Sequence, residues 1–310
     1  MRTVLISLLL GSCSSTVQSF ANAATSTASS RYDENMSDDK KLLVADEASE
    51  KLTPWANRWT NNHIGFHLND VNPVIKKYGP RYLTTSSDEG STTSTVVKND
   101  EVCDAPDHDK NKRIKRAKRV FVPLCGKTVD LAYLTDLADE VVGVEGIRMA
   151  LEQFAEEQAQ LNVSLETTTK DGFEKFQGDK ISLLKGDYFE LDATKTEGVF
   201  DFIFDRASMV AIDPKLREAY VDVLGNLLAP GGTILLVVLE RQGSEEAMKQ
   251  GPPFTIPEAT VRELYEPKEW VESITFLEKT DQLEEKPEDK ERYPDLDHLY
   301  ELVFEIKRKA

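Results

Sequence analysis

The sequence RVFVPLCGKTVDLAYLTDLADEVVGVE at residues 119–145 predicts a strand, a helix and a second strand in direct succession. The apolar, β-branched runs Arg119–Pro123 and Val141–Glu145 have the length of buried strands, and Val129–Ala138 between them has helical periodicity. Strands that alternate with helices in this way form parallel α/β sheets.

The same alternation continues towards the C-terminus. Further strands are predicted at Ile181–Leu184, Val199–Asp205 and Thr233–Glu240, and further helices at Ile147–Gln160, Pro214–Leu228 and Pro257–Tyr265. Two final β-rich runs, Val271–Leu277 and Leu299–Ile306, can pair as an antiparallel edge. We therefore predict an α/β fold with a Rossmann-like, seven-stranded, mostly parallel sheet and an antiparallel edge strand.

The composition is that of a soluble chain with an acidic balance. Among 310 residues, 38 are Lys or Arg and 55 are Asp or Glu, which gives a net charge of −17. Because this charge repels polyanions, we expect neither nucleic acid nor, for the mature chain, a membrane as partner. Cys103 and Cys125 are the two cysteines outside the N-terminal segment, too few for a disulfide framework or a zinc cluster.

Segments of low complexity surround and interrupt the α/β pattern. Residues 1–23 carry an apolar run and the small-residue site Ala21-Asn22-Ala23, which predicts a signal or targeting peptide. Residues 24–51 are predicted to be a disordered leader, and 84–118 a low-complexity insertion within one domain at 52–310. We expect entry into the secretory pathway, with a plastid as one destination because the leader resembles a two-part presequence. A cytoplasmic protein with a frayed N-terminus is the alternative.

Candidate ligand-binding residues follow four of the predicted strands, where open α/β sheets bind their ligands. Gly126 lies in a turn, and Glu145 follows 19 residues later, the spacing of a carboxylate that accepts both hydroxyl protons of a ribose. Asp187 could accept from an adenine amino group, Tyr188 offers a ring for stacking, and Asp205-Arg206 ends the fourth strand. Since no G-x-G-x-x-G motif is present, a nucleoside without phosphates is favoured over a dinucleotide.

Six runs carry a resemblance to a known family. They are WANRWTNNHIGFH from Trp55, VFVPLCGKTVDL from Val120, VVGVE from Val141, FDFIFDR from Phe200, LAPGG from Leu228 and GPPFTIP from Gly251. In this order they resemble the thiopurine S-methyltransferase family of class I S-adenosylmethionine-dependent methyltransferases, over about 52–306 apart from the insertion. The resemblance implies that fold, S-adenosylmethionine as cofactor and a small thiol as methyl acceptor. We expect a monomer.

The resemblance also implies roles for individual residues. Cofactor contacts of the family match Trp59, Leu124, Glu145 and Arg206, with Trp55, Asp187 and Tyr188 beside them, and Phe66 matches a lid residue that touches cofactor and substrate. Lys286 stands where mammalian members have a second Arg facing the thiol, and Asp187 where they have Ser. Lysine keeps the charge but loses the planar fork of arginine, which weakens the case for a thiopurine-like acceptor.

We expect a lid over residues 55–67 to exclude water and to place aromatic rings against the sulfonium, with Arg206 as the catalytic residue that stabilises the thiolate. Other interpretations of these residues remain open. Trp55 and Trp59 could be core packing, and Arg206 could pair with Asp205 or Asp201.

Alternatives also remain for a cysteine, for two histidines and for the function of the protein. Cys125 could be a nucleophile, although a small residue in a tight turn is favoured, and His63 with His67 could suggest a metal, although we expect none. A halide or thiol methyltransferase, or an enzyme acting on selenium compounds, is the alternative activity. A protein that binds S-adenosylmethionine without turnover is the alternative of another class.

Overall fold

The structure is a computed structural model and describes residues 52–83 and 118–310. The described residues belong to one compact unit, Asp46–Ala310. The predicted targeting peptide at 1–23, the leader at 24–51 and residues 84–117 of the insertion lie outside the described residues and stay predictions. Within the two described ranges, no helix has the length and apolar character needed to cross a membrane.

A nine-stranded sheet forms the core of the fold. Its strands in chain order are β1 (Arg119–Val122), β2 (Glu140–Glu145), β3 (Thr168–Lys170), β4 (Phe173–Gly178), β5 (Ile181–Lys185), β6 (Phe200–Arg206), β7 (Leu228–Gly243), β8 (Val271–Asp281) and β9 (Leu296–Arg308). Their order in space is β3-β4-β5-β2-β1-β6-β7-β9-β8.

The predicted fold class is confirmed, with one correction in the number of strands. Strands β5, β2, β1, β6 and β7 are mutually parallel, as expected. The two final strands pair antiparallel at one edge of the sheet, also as expected, with β9 next to β7 and β8 outermost. The sheet also extends beyond the seven predicted strands through an antiparallel β3–β4 pair next to β5.

Helices cover both faces of the sheet. They are α1 (52–60), α2 (Pro73–Tyr78), α3 (Pro80–Leu83), α4 (Asp130–Leu137), α5 (Arg148–Glu157), α6 (Arg217–Leu227), α7 (Glu245–Lys249), α8 (Glu258–Tyr265), α9 (Gln282–Glu285) and α10 (Asp289–Arg292). Apolar side chains of α2 to α5 pack on one face, and those of α6 and α8 pack on the other. Burial of these side chains on both faces explains why the parallel strands are almost continuously apolar.

The strand order determines where a ligand can bind. The chain passes from β1 through β2 to β5 on one side and then returns to β6 and β7 on the other. The order therefore reverses between β1 and β6, and the carboxyl ends of the parallel strands on both sides meet at one edge. The turns after β1, β2, β5 and β6 lie at this edge.

Candidate active site

The turn after β1 has two residues in the left-handed region, Leu124 at φ 42° and Gly126 at φ 53°. Between them, the N–H of Cys125 donates to the carbonyl oxygen of Val144 over 2.8 Å, which ties the turn to β2. A Cβ atom at Gly126 would lie 3.2 Å from the ring of Trp59. Glycine is thus favoured here both by the backbone angle and by the close approach of an indole ring.

Glu145, at the end of β2, holds this turn through its side chain. One carboxylate oxygen accepts from the N–H of Gly126 and the other from the N–H of Ile147, both over 2.9 Å. Burial raises the pKa of the Glu145 carboxyl, while these N–H groups act in the opposite direction. Because a carboxylate has about four acceptor positions, each oxygen keeps one for another donor, the arrangement that a vicinal diol requires.

In the turn after β5, Asp187 is exposed to solvent, whereas the neighbouring Tyr188 is buried in the core. Asp187 is exposed, and one of its oxygens accepts from the N–H of Phe189 over 2.9 Å. Tyr188 is 3% exposed, stacks on Tyr220 with 4.6 Å between ring centroids, and donates its hydroxyl to the Tyr220 carbonyl oxygen. This geometry supports an acceptor role for Asp187. It does not support a stacking role for Tyr188, whose ring packs into the core.

The N-terminal segment lies over these strand ends as an aromatic lid, defined here as residues 52–67. The rings of Trp55 and Trp59 both meet Phe66 edge to face, with centroids 5.8 Å apart. Trp59 is 4% exposed and packs in a small cluster with Ile147 and Ala150 at the start of α5. The two tryptophans are packed, as one interpretation of the sequence expected. They pack at the strand ends that carry Gly126 and Glu145, so the same rings can also contact a bound ligand.

Two arginines from distant parts of the chain hold the lid. Nη1 of Arg206, at the end of β6, donates to the carbonyl oxygen of Phe66 over 2.9 Å. Nη1 of Arg292 donates to the carbonyl oxygen of the adjacent Gly65 over 3.0 Å. A Cβ atom at Gly65 would lie only 2.5 Å from the Arg292 guanidinium, so a larger residue there would displace this side chain.

Arg206 ends β6, one of the two strands between which the strand order reverses. Burial lowers the pKa of its guanidinium, and the carboxylates of Glu301 and Asp130 oppose that effect. Asp205, its neighbour, faces away and accepts from the Tyr220 hydroxyl over 2.8 Å. The guanidinium therefore contacts the lid and not Asp205. The residue after it, Ala207, has φ 63°, so the turns after β1 and β6 each contain a non-glycine residue in the left-handed region.

A family model for thiopurine S-methyltransferase (TPMT) matches residues 105–309. The chain belongs to this family. The thiopurine S-methyltransferase of Vibrio atlanticus (strain LGP32) is 36% identical over 211 residues, 68% of this chain and 79% of that protein. That of Pseudomonas paraeruginosa (strain DSM 24068 / PA7) is 34% identical over 211 residues, 68% of this chain and 80% of that protein.

Among solved structures, the chain is similar to an arsenic(III) S-adenosylmethionine methyltransferase from Chlamydomonas reinhardtii, with a TM-score of 0.44 and 13% identity, over 62% of this chain and 64% of that one. As a member of the thiopurine S-methyltransferase family, the protein is an S-adenosylmethionine-dependent methyltransferase. The residues present fit that cofactor. The two remaining acceptor positions of Glu145 suit the ribose hydroxyls, and the second oxygen of Asp187 suits an adenine amino group.

Lys286, which the resemblance placed on the acceptor side of the site, is exposed and follows directly after α9. Its charge lowers the pKa of Glu301. Sequence reasoning missed Glu301 and Arg292, because neither lies in a motif and only the folded chain brings them to the lid.

The alternative roles considered for Cys125 and the two lid histidines find no support in the geometry. Cys125 is 5% exposed, and burial raises the pKa of its thiol well above the usual value, which disfavours the nucleophilic thiolate. Its side chain fills the space beside Gly143, the packing role expected for a small residue. Among the described residues, neither His63 nor His67 belongs to a cluster of three metal-ligand side chains.

Proposed function

We propose that the protein transfers the methyl group of S-adenosylmethionine to the sulfur of a small thiol. The observation that carries the proposal is the hydrogen bond from Arg206 to the carbonyl oxygen of Phe66, which joins a cationic side chain at the strand ends to an aromatic lid. Family membership supports the cofactor and the reaction type. The small thiol follows from the relatives' name and from the cation at the reacting edge.

The cofactor supplies an activated methyl group, so the chain mainly has to align and shield the reactants. Glu145 and Asp187 would hold the adenosine part through hydrogen bonds. Trp55, Trp59 and Phe66 would cover the sulfonium with aromatic faces and exclude water. Alignment of this kind can contribute on the order of 7 to 11 kcal/mol to lowering a barrier.

Arg206 would act on the acceptor. A thiol has a reference pKa of about 8.5, and a nearby cation increases the fraction present as thiolate. Since the Arg206 guanidinium is partly buried, its field is screened less than that of a surface side chain. Lys286 would supply a second positive charge, with less directional hydrogen bonding than an arginine would give.

The test is a methylation screen with the purified chain and S-adenosylmethionine labelled in the methyl group. The acceptors are an acidic aromatic thiol, an alkyl thiol, a selenol and iodide, with headspace detection of methyl iodide and methanethiol. Transfer to thiols with the highest kcat/KM supports the proposal. Preferential methylation of iodide or of the selenol would replace it with the corresponding alternative. Tight binding of S-adenosylhomocysteine without turnover of any acceptor would refute it.

A further inference from the structure

The register of the sheet places Glu301 on the same face as Arg206. Arg206 in β6 pairs with Val237 in β7, and Val237 pairs with Val303 in β9, so these three side chains point to one side. Glu301 lies two residues from Val303 and pairs with Leu239, and side chains two apart on a strand share a face. Neighbouring strands are about 4.8 Å apart, so one strand and the side chain of Leu239 separate Arg206 from Glu301. The charges of Arg206 and Glu301 act on one another across this distance.

Glu301 differs from the other carboxylates on this part of the sheet face. Glu305, four residues after Glu301 in β9, accepts from the Tyr82 hydroxyl and forms an ion pair with Arg81. Glu278 on β8 accepts from Tyr78 and pairs with Lys77. Among residues 52–83 and 118–310, none of the hydrogen bonds or ion pairs involves the Glu301 carboxylate, although that residue is partly buried. A partly buried carboxylate without a protein donor completes its hydrogen bonding with a ligand or with water.

The charged groups that face Glu301 come from three elements. Burial raises the pKa of its carboxyl, and Glu278 on β8 and Glu285 on α9 raise it further, while Arg206 on β6 and Lys286 after α9 lower it. The net effect is a carboxyl whose pKa is raised, which moves it towards the range in which a carboxylate works as a general base.

We propose that Glu301 accepts the proton of a neutral, weakly acidic thiol during methyl transfer. This inference rests on the proposed function and extends it to acceptors that are not already ionised. The S–H bond breaks and its proton moves to the Glu301 carboxylate. The electron pair left on the thiol sulfur forms the bond to the methyl carbon, and the bond from that carbon to the cofactor sulfur breaks, its electron pair remaining on the cofactor sulfur. The products are a thioether, S-adenosylhomocysteine and a protonated Glu301, which releases its proton to solvent.

The test compares two acceptors in the wild-type chain and in Glu301→Gln. The alkyl thiol 2-mercaptoethanol is largely protonated at neutral pH, and 4-nitrothiophenol is largely ionised. Since general base catalysis contributes roughly 100-fold or more, Glu301→Gln should lower kcat/KM for the alkyl thiol by about that factor. For the ionised thiol, the change should stay within about threefold, because no proton has to be removed. Glu301→Asp should give an intermediate loss. Glu284→Gln, which changes an exposed carboxylate on the adjacent helix that does not act on Glu301, should retain both activities.

A second measurement does not depend on turnover. Ultraviolet absorbance of the thiolate is recorded when 2-mercaptoethanol binds to the chain already saturated with S-adenosylhomocysteine. Because a negative carboxylate beside the sulfur disfavours the thiolate, Glu301→Gln should form the bound thiolate at a lower pH than wild type. Equal pH values in the two chains would place Glu301 away from the thiol and overturn the proposal. The affinity for S-adenosylhomocysteine and the midpoint of thermal unfolding identify any general loss of folding. If Glu301→Gln does not fold, the pH dependence of kcat/KM for 2-mercaptoethanol in wild type decides the question. A plateau between the pKa of Glu301 and that of the free thiol supports the proposal, and a tenfold rise per pH unit up to the pKa of the free thiol would overturn it, because the enzyme would then take the thiolate from solution.

The outcomes separate this inference from the proposed function. Equal losses with both thiols, or no loss with either, would overturn the role of Glu301 while leaving thiol methylation intact. A wild-type chain that methylates neither thiol would overturn the proposed function itself. A loss confined to the alkyl thiol supports both.

Discussion

The guanidinium of Arg206 donates a hydrogen bond of 2.9 Å to the carbonyl oxygen of Phe66, 140 residues away in the chain. This single contact joins the end of a central strand to the lid that carries Trp55, Trp59 and Phe66. The position of the aromatic rings and the position of the cation are therefore coupled. Closing the lid would at once exclude water and bring the guanidinium to its working position.

Arg206→Lys should lower kcat/KM for thiol methylation by about tenfold or more. Lysine keeps the charge, but a single ammonium group cannot both hold the Phe66 carbonyl and face the acceptor, and one charged hydrogen bond contributes about 1.5 to 3 kcal/mol. Arg292→Lys is the matched control, since Arg292 holds only the adjacent Gly65 carbonyl from an exposed position. Steady-state kinetics measure both variants. An equal loss in the control would mean that Arg206 acts through the lid alone.

Glu145→Gln should raise the dissociation constant of S-adenosylhomocysteine by 10-fold or more. Glutamine has one acceptor oxygen where Glu145 has two, so it cannot satisfy the N–H groups of Gly126 and Ile147 together with a diol. The loss of such hydrogen bonds costs about 1 to 3 kcal/mol. Titration calorimetry gives the constant directly. Glu140→Gln, at the outer end of the same strand, should leave it unchanged, and an unchanged value for Glu145→Gln would contradict the assignment.

Trp59→Phe should remove most of the change in intrinsic fluorescence that accompanies S-adenosylhomocysteine binding. The indole of Trp59 lies against the turn at Gly126, whereas Trp270 packs against Tyr265 on the opposite face of the sheet. Trp270→Phe should therefore keep the fluorescence response. Fluorescence titration of the two variants measures this difference. A response that survives in Trp59→Phe and disappears in Trp270→Phe would show that the ligand binds elsewhere.

Ionisation of Asp205 should make the wild-type chain less stable as pH rises from about 4 towards 7. Burial raises the pKa of this carboxyl to about 7, although Tyr220 and the N–H of Met209 bond to it. Between the unfolded pKa of about 3.9 and the folded value, the folded state holds a proton that the unfolded state has lost. The contribution to stability is therefore present at low pH and lost as pH rises through this interval.

Asp205→Asn should lack this dependence, because asparagine does not titrate. Between pH 5 and pH 8, the variant should therefore gain stability relative to wild type, so that the free energy of unfolding of Asp205→Asn minus that of wild type increases. Urea unfolding at both pH values measures the change, and the comparison cancels the constant effect of altering the bonds to Tyr220 and Met209. A difference that is the same at the two pH values would show that Asp205 is ionised in the folded protein throughout this range.

Local patterns were sufficient to predict the main strands and helices and to place Glu145 at the end of β2. The β-branched runs and the turn at Leu124-Cys125-Gly126 predicted strand ends within a few residues of the observed ones. The β3–β4 pair was missed because Thr168–Lys170 is exposed along its whole length and has no apolar alternation to mark a strand. Strand β9 was predicted, but its place between β7 and β8 depends on pairing that a linear pattern does not specify.

The sequence by itself determined the α/β class, the parallel core and the placement of Glu145 and Asp187 at strand ends, because hydrophobic periodicity and turn chemistry act between near neighbours. Only the tertiary structure decided that Tyr188 is buried against Tyr220, that Arg206 and Arg292 hold the lid, and that Glu301 faces Arg206 across β7. Those relationships join segments separated by tens to hundreds of residues. They arise when the sheet aligns its strands, since register and face then place distant side chains at one edge.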